Sequence, residues 1–285
     1  MAKFILSAFA DEYSPDFNKQ LHGLAENNIN LIELRGIDGK SVADITVDEA
    51  KEVKKKLDCA GIKLSSVGSP LGKISIKGDL DAHMELTRRI CETANIMECT
   101  RIRGFSFYGT LENPQEMRSA VIDAVGRMAE ICADAGILYC HENEKGIYGD
   151  TPQRCLDLIT ALNGKLGCIF DHANFIQSGC EPYPSGFELL SEYITYMHIK
   201  DAMEDGTVVP AGCGIGHIPE TLQKLSARNG EIILTLEPHL RVFHGLAALE
   251  HGERTKLQNA YATSEEAFAA AVTALRSVLS DIGEL

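Results

Sequence analysis

The sequence predicts an α/β protein folded as a single (β/α)8 TIM barrel. Short apolar runs, typical of buried parallel strands, alternate eight times with segments of helical periodicity. Most connections between them are short, and no shift in composition marks a domain boundary. The length of 285 residues suits this architecture, in which one domain commonly runs to about 250 residues. We therefore expect one barrel domain over residues 1–285.

The elements follow one another as the barrel requires. Strands are predicted near 3–9, 30–35, 62–67, 99–105, 137–142, 166–171, 194–199 and 231–237. Helices are predicted near 15–27, 46–59, 79–97, 114–135, 151–162, 184–191, 217–228 and 264–281. N-cap patterns mark three helix starts, two of them with Pro at the first helical position: Ser14-Pro15-Asp16, Thr46 with Glu49, and Thr151-Pro152.

Two long irregular stretches follow the seventh and eighth strands, at 202–216 and 238–263. Loops that follow strands lie on the catalytic face of such a barrel. We therefore expect these loops to cover a substrate or to form a contact between copies in a homo-oligomer.

Four of the predicted strands end in residues that commonly bind metals. The strands are ILYCHE (137–142), LGCIFD (166–171), ITYMH (194–198) and IILTLE (232–237). Because the carboxyl ends of parallel strands meet on one face, their last residues should converge: Glu142, Asp171, His198 and Glu237. Three carboxylates and one imidazole suit a single divalent ion such as Mn²⁺, Mg²⁺, Co²⁺ or Zn²⁺.

Strand alternation predicts which side chains share the barrel interior with these four. They are Leu138, Cys140, Ile169, Tyr196, Ile233 and Thr235. His141 should point the other way, toward the helical layer, and a structural role is expected for it there.

Composition narrows the class of partner and the compartment. The formal charge is −14 without a block of Lys or Arg, so nucleic acid is not an expected partner. The N-terminal apolar run, FILSAFA, is too short for a signal peptide or a membrane span. Nine cysteines without a C-x-x-C pair indicate reduced thiols rather than a thiolate zinc site. A cytoplasmic protein that does not act at a membrane is expected.

Motifs along nearly the whole chain resemble the xylose isomerase-like barrel superfamily of sugar isomerases and epimerases, which also includes endonuclease IV. The matching segments are SAFADEYSPDF (7–17), LIELRG (31–36), GSPLGK (68–73), RIRGFSFYG (101–109), HENEKGIYGDTP (141–152), FDHANF (170–175), YMHIKD (196–201) and TLEPH (235–239). The resemblance implies one divalent ion on the four strand-end residues. It also implies that Glu142 and Glu237 exchange a proton from opposite faces of the substrate.

The implied activity is isomerisation or epimerisation of a sugar or sugar phosphate through a metal-stabilised enediolate. The alternative is a metal-dependent lyase, dehydratase or hydrolase on the same barrel. Non-catalytic binding is a weaker alternative, because three buried carboxylates are costly without a cation. DNA repair is disfavoured because strands three and four lack the histidines that endonuclease IV uses for zinc.

Six further residues are candidates for substrate contact: Glu33, Lys73, Glu144, His172, Asn174 and Lys200. Many relatives carry His where this chain has Asn174, which can hydrogen-bond a hydroxyl but cannot titrate. Glu33 could instead pair internally with an arginine of strand two or four. Lys200 could instead offset the carboxylates, and Glu144 could be a solvated loop residue.

Overall fold

The computed structural model describes residues 2–246, 254–257 and 261–284, and eight parallel strands within them close into one barrel. The strands are β1 (Ala2–Ala8), β2 (Leu31–Leu34), β3 (Lys63–Gly68), β4 (Arg101–Gly104), β5 (Leu138–Glu142), β6 (Leu166–Asp171), β7 (Ile194–Ile199) and β8 (Gly230–Leu236). Neighbours in sequence are neighbours in the barrel, and β1 pairs with β8 along its full length to close it. The predicted TIM barrel is confirmed.

Helices surround the barrel. They are α1 (Phe17–Glu26), α2 (Val47–Ala60), α3 (Leu80–Ile96), α4 (Pro114–Asp134), α5 (Pro152–Ala161), α6 (His172–Gln177), α7 (Phe187–Leu190), α8 (Ile218–Ser226) and α9 (Ser264–Asp281). Small two-residue strands form hairpins in the loops after β2 and β7. Within the described part of the chain, no helix is both long enough and apolar enough to cross a membrane.

Two segments differ from the predicted elements. The predicted helix near 184–191 is broken: Pro182–Gly186 is an irregular turn with Tyr183 extended, and only Phe187–Leu190 is α-helical. Two prolines in PYPSG explain the break, because proline offers no N–H to a helix. The short helix α6 was not predicted; it begins directly after β6 because the Asp171 side chain caps its first turn.

The N-cap predictions hold for two helices and need a correction for α1. Thr46 and Glu49 form a reciprocal capping box, and Thr151 caps α5 with Pro at its first position. In α1 the capping side chain is Asp16, so Pro15 precedes the helix instead of opening it.

The barrel interior contains a small apolar cluster beneath its carboxyl end. Cys140, Ile169 and Tyr196 are fully buried there, with Leu138 and Ile233 packed against them. These are inward positions of β5 to β8, as the alternation predicts. This cluster therefore packs directly beneath the side chains at the carboxyl ends of β5 to β8.

Candidate metal centre

The four strand-end residues meet at the carboxyl end of the barrel. Glu142, Asp171, His198 and Glu237 are buried, and each offers a ligand atom within 4.8 Å of those of the others. They end β5 and β6, stand near the end of β7 and follow β8 directly. Because the parallel pairing sets these four strands side by side, the side chains converge from one half of the barrel.

His198 lies between two carboxylates. Its Nδ1 is 2.8 Å from Oε1 of Glu142 and 3.9 Å from Oε2 of Glu237, so this nitrogen faces the other ligand candidates. Its Nε2 is 3.1 Å from Oε2 of Glu33. The Tyr196 hydroxyl donates to the second oxygen of Glu33 over 3.0 Å. Glu33 therefore fixes the orientation of the imidazole, a common role for a carboxylate behind a metal-binding histidine.

This position differs from the substrate contact expected of Glu33. The side chain is fully buried, does not line the cavity, and has both oxygens bonded to side chains of β7. Neither does it pair with an arginine, the alternative considered from the sequence. It lies behind His198 because residue 33 points into the barrel one layer below the rim.

Three buried cations surround the carboxylates. Lys200 Nζ lies 2.7 Å from Oε2 of Glu237 and 3.3 Å from Oδ2 of Asp171. Arg103 Nη1 is 3.3 Å from Oε2 of Glu142. Lys200 thus offsets the charge of the carboxylates, which was the alternative to substrate contact considered from the sequence. It also lines the cavity above.

Arg35 joins Glu237 to two further acidic residues near the end of β1. Its guanidinium is 2.9 Å from Oε1 of Glu237, 2.9 Å from Asp11 and 3.2 Å from Glu12. Glu12, Glu237 and His239 form a second group whose ligand atoms lie within 4.8 Å of one another. The guanidinium contacts both carboxylates of that group and already supplies its positive charge.

Burial and neighbouring charges raise the pKa of some groups at the centre and lower that of others. Burial raises the pKa of Asp171 to about 7, against the lowering effect of Lys200. Burial also opposes charge on His198, but Glu142 and Glu33 prevail and raise its pKa to about 10. Burial would raise the pKa of Glu142, yet the charge of His198 prevails and lowers it to about 2. Glu142 and Glu33 therefore favour the protonated form of the His198 ring when no ion is bound.

The donor set fits a divalent cation. Two buried carboxylate oxygens, Oε2 of Glu142 and Oδ2 of Asp171, form no hydrogen bond within the described structure, although each lies 3.3 Å from a cation. Six carboxylates meet three lysine and arginine side chains and the imidazole of His198 in this network: Asp11, Glu12, Glu33, Glu142, Asp171 and Glu237 against Arg35, Arg103, Lys200 and His198. An excess of buried negative charge with free oxygen lone pairs is what a hard divalent ion would neutralise.

Two asparagines fix the positions of the carboxylates of Asp171 and Glu142. Asn143 donates to the carbonyl of Asp171 and accepts from its backbone N–H, both over 2.9 Å. The Asn174 backbone N–H donates to Oδ1 of Asp171 over 2.8 Å, and its side chain donates to Oε1 of Glu142 over 3.3 Å. Asn174 also lines the cavity, where the sequence placed it.

A cavity of about 480 Å³ opens above the centre. Of the predicted substrate contacts, Lys73, Glu144, Asn174 and Lys200 line it, as does Glu237. Lys73 and Glu144 form an ion pair of 2.7 Å that joins the loops after β3 and β5.

His172 does not line this cavity, in contrast to the predicted contact. It is fully buried, and its Nε2 lies 3.1 Å from the Thr221 hydroxyl of α8. The first turn of α6 carries the ring away from the cavity. His141 is buried as predicted, with Nε2 at 2.9 Å from the Ser106 hydroxyl.

Sequence reasoning gave Arg35 and Arg103 no role of their own at the site. Both had been considered only as internal partners of Glu33. The signal for them is the period of two in LIELRG and RIRG, which places Arg35 on the face of Glu33 and Arg103 on the inward face of β4. Their partners could not be assigned, because pairing across the barrel depends on the final register.

A profile of the xylose isomerase-like TIM barrel family matches residues 22–271. This chain belongs to that family. A search of curated protein sequences finds no match.

Solved structures share the fold over nearly the whole chain at low identity. The probable 3-DHS dehydratase AsbF of Bacillus anthracis is 18% identical, with a TM-score of 0.72 and 97% and 99% of the two chains covered. D-Psicose 3-epimerase of Clostridium cellulolyticum H10, solved with D-tagatose, is 13% identical, with a TM-score of 0.69 and 99% of each chain covered. The IOLI protein with a bound zinc atom is 16% identical, with a TM-score of 0.73 and 99% and 100% covered.

Proposed function

We propose that this chain is a metal-dependent isomerase or epimerase of a sugar or sugar phosphate. One divalent ion (Mn²⁺, Mg²⁺, Co²⁺ or Zn²⁺) is bound by Glu142, Asp171, His198 and Glu237. The observation that carries the proposal is the convergence of these four buried residues beneath a cavity. The IOLI protein holds zinc on the same fold, and D-psicose 3-epimerase supports sugar chemistry for it.

Two carboxylates approach the centre from different sides. The strand order β8-β7-β6-β5 sets Glu237 and Glu142 at the ends of a row, with Asp171 and His198 between them. A substrate carbon held above the row would have a carboxylate on each side. One glutamate takes the proton and the other returns it, which inverts the carbon.

The surrounding cations keep both glutamates in the ionised form that a general base requires. Lys200 and Arg35 contact Glu237, and together with His239 and His198 they lower its pKa well below the usual range against the effect of burial. Arg103 contacts Glu142 in the same way. The ion, when bound, would supply Lewis-acid stabilisation of negative charge on the substrate oxygens. Asn174 and Lys200 line the cavity, and the Lys200 ammonium would donate to a substrate hydroxyl.

Proton exchange with solvent tests the proposal. The Mn²⁺-loaded chain is incubated in D2O with a panel of ketoses and ketose phosphates, and recovered sugar is analysed for deuterium and configuration. Deuterium at the carbon next to the carbonyl, with formation of an isomer or epimer, is the expected result. Irreversible loss of water would instead identify a dehydratase, the alternative for which AsbF provides a precedent on this fold. A panel without any exchange or turnover would overturn both.

A further inference from the structure

The cavity is rich in cations, although the protein as a whole is acidic. Of the 21 described residues that line it, seven are Lys or Arg, against 27 of 285 in the chain. Four lining residues are Asp or Glu. The lining therefore carries three more positive than negative charges, whereas the chain carries a net charge of −14. A concave site of this sign within a negative surface attracts small anions.

The seven cations lie in two layers. The inner three, Arg35, Arg103 and Lys200, contact carboxylates of the metal centre. The other four, here called the outer cations, belong to the loops after β3, β5 and β8: Lys73, Lys145, Arg254 and Lys256.

Two of the outer cations, Arg254 and Lys256, lie on the loop after β8 and carry positive charge at the mouth of the cavity. Lys256 Nζ donates over 2.7 Å to the backbone carbonyl of Asp205. Arg254 and Lys256 are exposed. Lys73 pairs with Glu144, and its ammonium also lies 4.3 Å from the centre of the Phe105 ring.

A metal ion at the centre would make the cavity still more positive. A divalent ion on the four ligands would neutralise carboxylates that Lys200 and Arg103 now contact, so the charges of these two cations would act on the cavity. A neutral polyol requires hydrogen-bond donors and acceptors but gains little from seven cations. A volume of about 480 Å³ is in the range that holds a small ligand with a charged end group.

We propose that the substrate carries an anionic group, a phosphate or a carboxylate, at the end remote from the metal centre, and that the outer cations bind it. This inference rests on the proposed function for the position of the reacting carbon, but its charge argument concerns binding alone. Phosphate and carboxylate share the chemistry that lysine and arginine recognise. The net charge of −14 on the chain disfavours long polyanions, and the cavity of about 480 Å³ suits a small molecule.

The test compares ligands that differ only in charge. Calorimetry measures binding of three matched series to the Mn²⁺-loaded chain: neutral ketoses, their terminal phosphate esters, and ketoaldonates. Each ligand is measured at low and at high salt, and proton exchange in D2O is followed in parallel. We expect one anionic series to bind at least tenfold more tightly than the neutral one, with the difference shrinking at high salt.

Variants locate the anion. Arg254→Gln and Lys256→Gln should each weaken the anionic ligand about tenfold and leave the neutral ketose unchanged, as expected for a lost charged hydrogen bond. Lys165→Gln is the matched control, because it removes one charge at an exposed ion pair with Glu130 just before β6, at the other end of the barrel.

The outcomes separate the two proposals. Preference for esters identifies phosphate as the anionic group, and preference for ketoaldonates identifies carboxylate. Equal binding of neutral and anionic sugars, or outer-cation variants indistinguishable from Lys165→Gln, overturns the anion proposal while exchange on a neutral ketose would leave the isomerase proposal standing. Tight binding of an anionic ligand without exchange in any series would overturn the proposed function alone.

Discussion

At the scale of single residues, Glu33 orients the imidazole of His198 from behind. Replacement by Gln keeps the shape but removes the charge that orients the imidazole N–H. We expect Glu33→Gln to weaken metal binding by about 10- to 100-fold, the usual effect of losing such a partner. Competition with a chelating dye measures the affinity.

Tyr196→Phe is the matched control for Glu33. It removes the other hydrogen bond of the Glu33 carboxylate and leaves the charge in place. Its effect on metal affinity should be several-fold smaller. Similar losses in both variants would mean that packing in the barrel, rather than the contact with His198, accounts for the result.

The two glutamates that flank the centre should both be needed if the reaction inverts a carbon. Glu142→Gln and Glu237→Gln keep one possible oxygen ligand but lose the base, so each should reduce turnover by at least about 10²-fold. Metal content is measured alongside, with excess Mn²⁺ supplied. Equal losses favour epimerisation, and a lopsided pair favours 1,2-isomerisation, which one base can perform. Near-full turnover of both metal-loaded variants would exclude the two-glutamate mechanism.

His141 makes stability depend on pH. Burial lowers the pKa of His141 to about 4 in the folded chain, so below about pH 6.5 the unfolded chain binds the extra proton first. Its contribution to stability is complete above that pH and is lost as the pH falls toward 4. Between pH 7 and pH 5 we expect it to account for a loss of about 2 kcal/mol in the free energy of unfolding.

Urea denaturation of His141→Gln at the two pH values checks this. The variant should lose less stability than the parent on going to pH 5, whatever its stability at pH 7. His22→Gln, a change at an exposed histidine, is the matched control. An unchanged pH response in His141→Gln would contradict the assignment.

At the scale of elements, the loop after β3 is held against the segment after β4. Phe105 N–H donates to the carbonyl of Leu71, and Phe107 N–H to that of Gly72. A Cβ on Gly72 would lie 2.1 Å from the Phe105 carbonyl oxygen, and its φ is +83°. We expect Gly72→Ala to cost at least about 2 kcal/mol more than Gly61→Ala, which has φ +68° and open space.

Denaturation of both glycine variants tests that difference. Because Lys73 follows Gly72, the change should also disturb the pair that Lys73 makes with Glu144. Equal costs for the two variants would show that the loop shifts freely. That result would argue against a rigid position for Lys73.

Elements with strong local signals were predictable. Apolar runs bounded by caps and glycines gave all eight strands, and β6 and β7 have the predicted bounds. The broken helix at Pro182–Gly186 and the added helix α6 were not, because their conformations depend on two prolines and on a cap by the strand-end residue Asp171. Local sequence thus identifies an element better than it identifies its interruptions.

The candidate site shows the same division. Its four convergent residues follow from parallel topology alone. Arg35, Arg103 and the true position of Glu33 require the register across the barrel, which no local pattern contains. The roles of the site residues, the cytoplasmic location and the lack of a nucleic-acid partner stay predictions.

At the scale of the whole molecule, ion binding should stabilise the fold. An ion present at about 100 times its dissociation constant adds about 2.7 kcal/mol to the free energy of unfolding. For a chain of this size that corresponds to roughly 5–10 °C in Tm. Thermal denaturation with EDTA and with added Mn²⁺ measures the difference, and His198→Ala should lose most of it. A Tm that changes with neither EDTA nor Mn²⁺ would argue against a metal at this site.

The candidate site is divided between two halves of the barrel, and this division affects how substrate specificity can evolve. The four proposed ligands come from β5 to β8, whereas Glu33, Arg35, Lys73 and Arg103 come from β2 to β4 and the loops beside them. Substitutions in the loops after β2 to β4 can thus explore new substrates while the four proposed ligands, and Glu33 and Arg103 that contact them, stay unchanged. Such a separation lets a lineage change its specificity without passing through inactive intermediates, and it makes the loops after β2 to β4 the natural target for directed evolution.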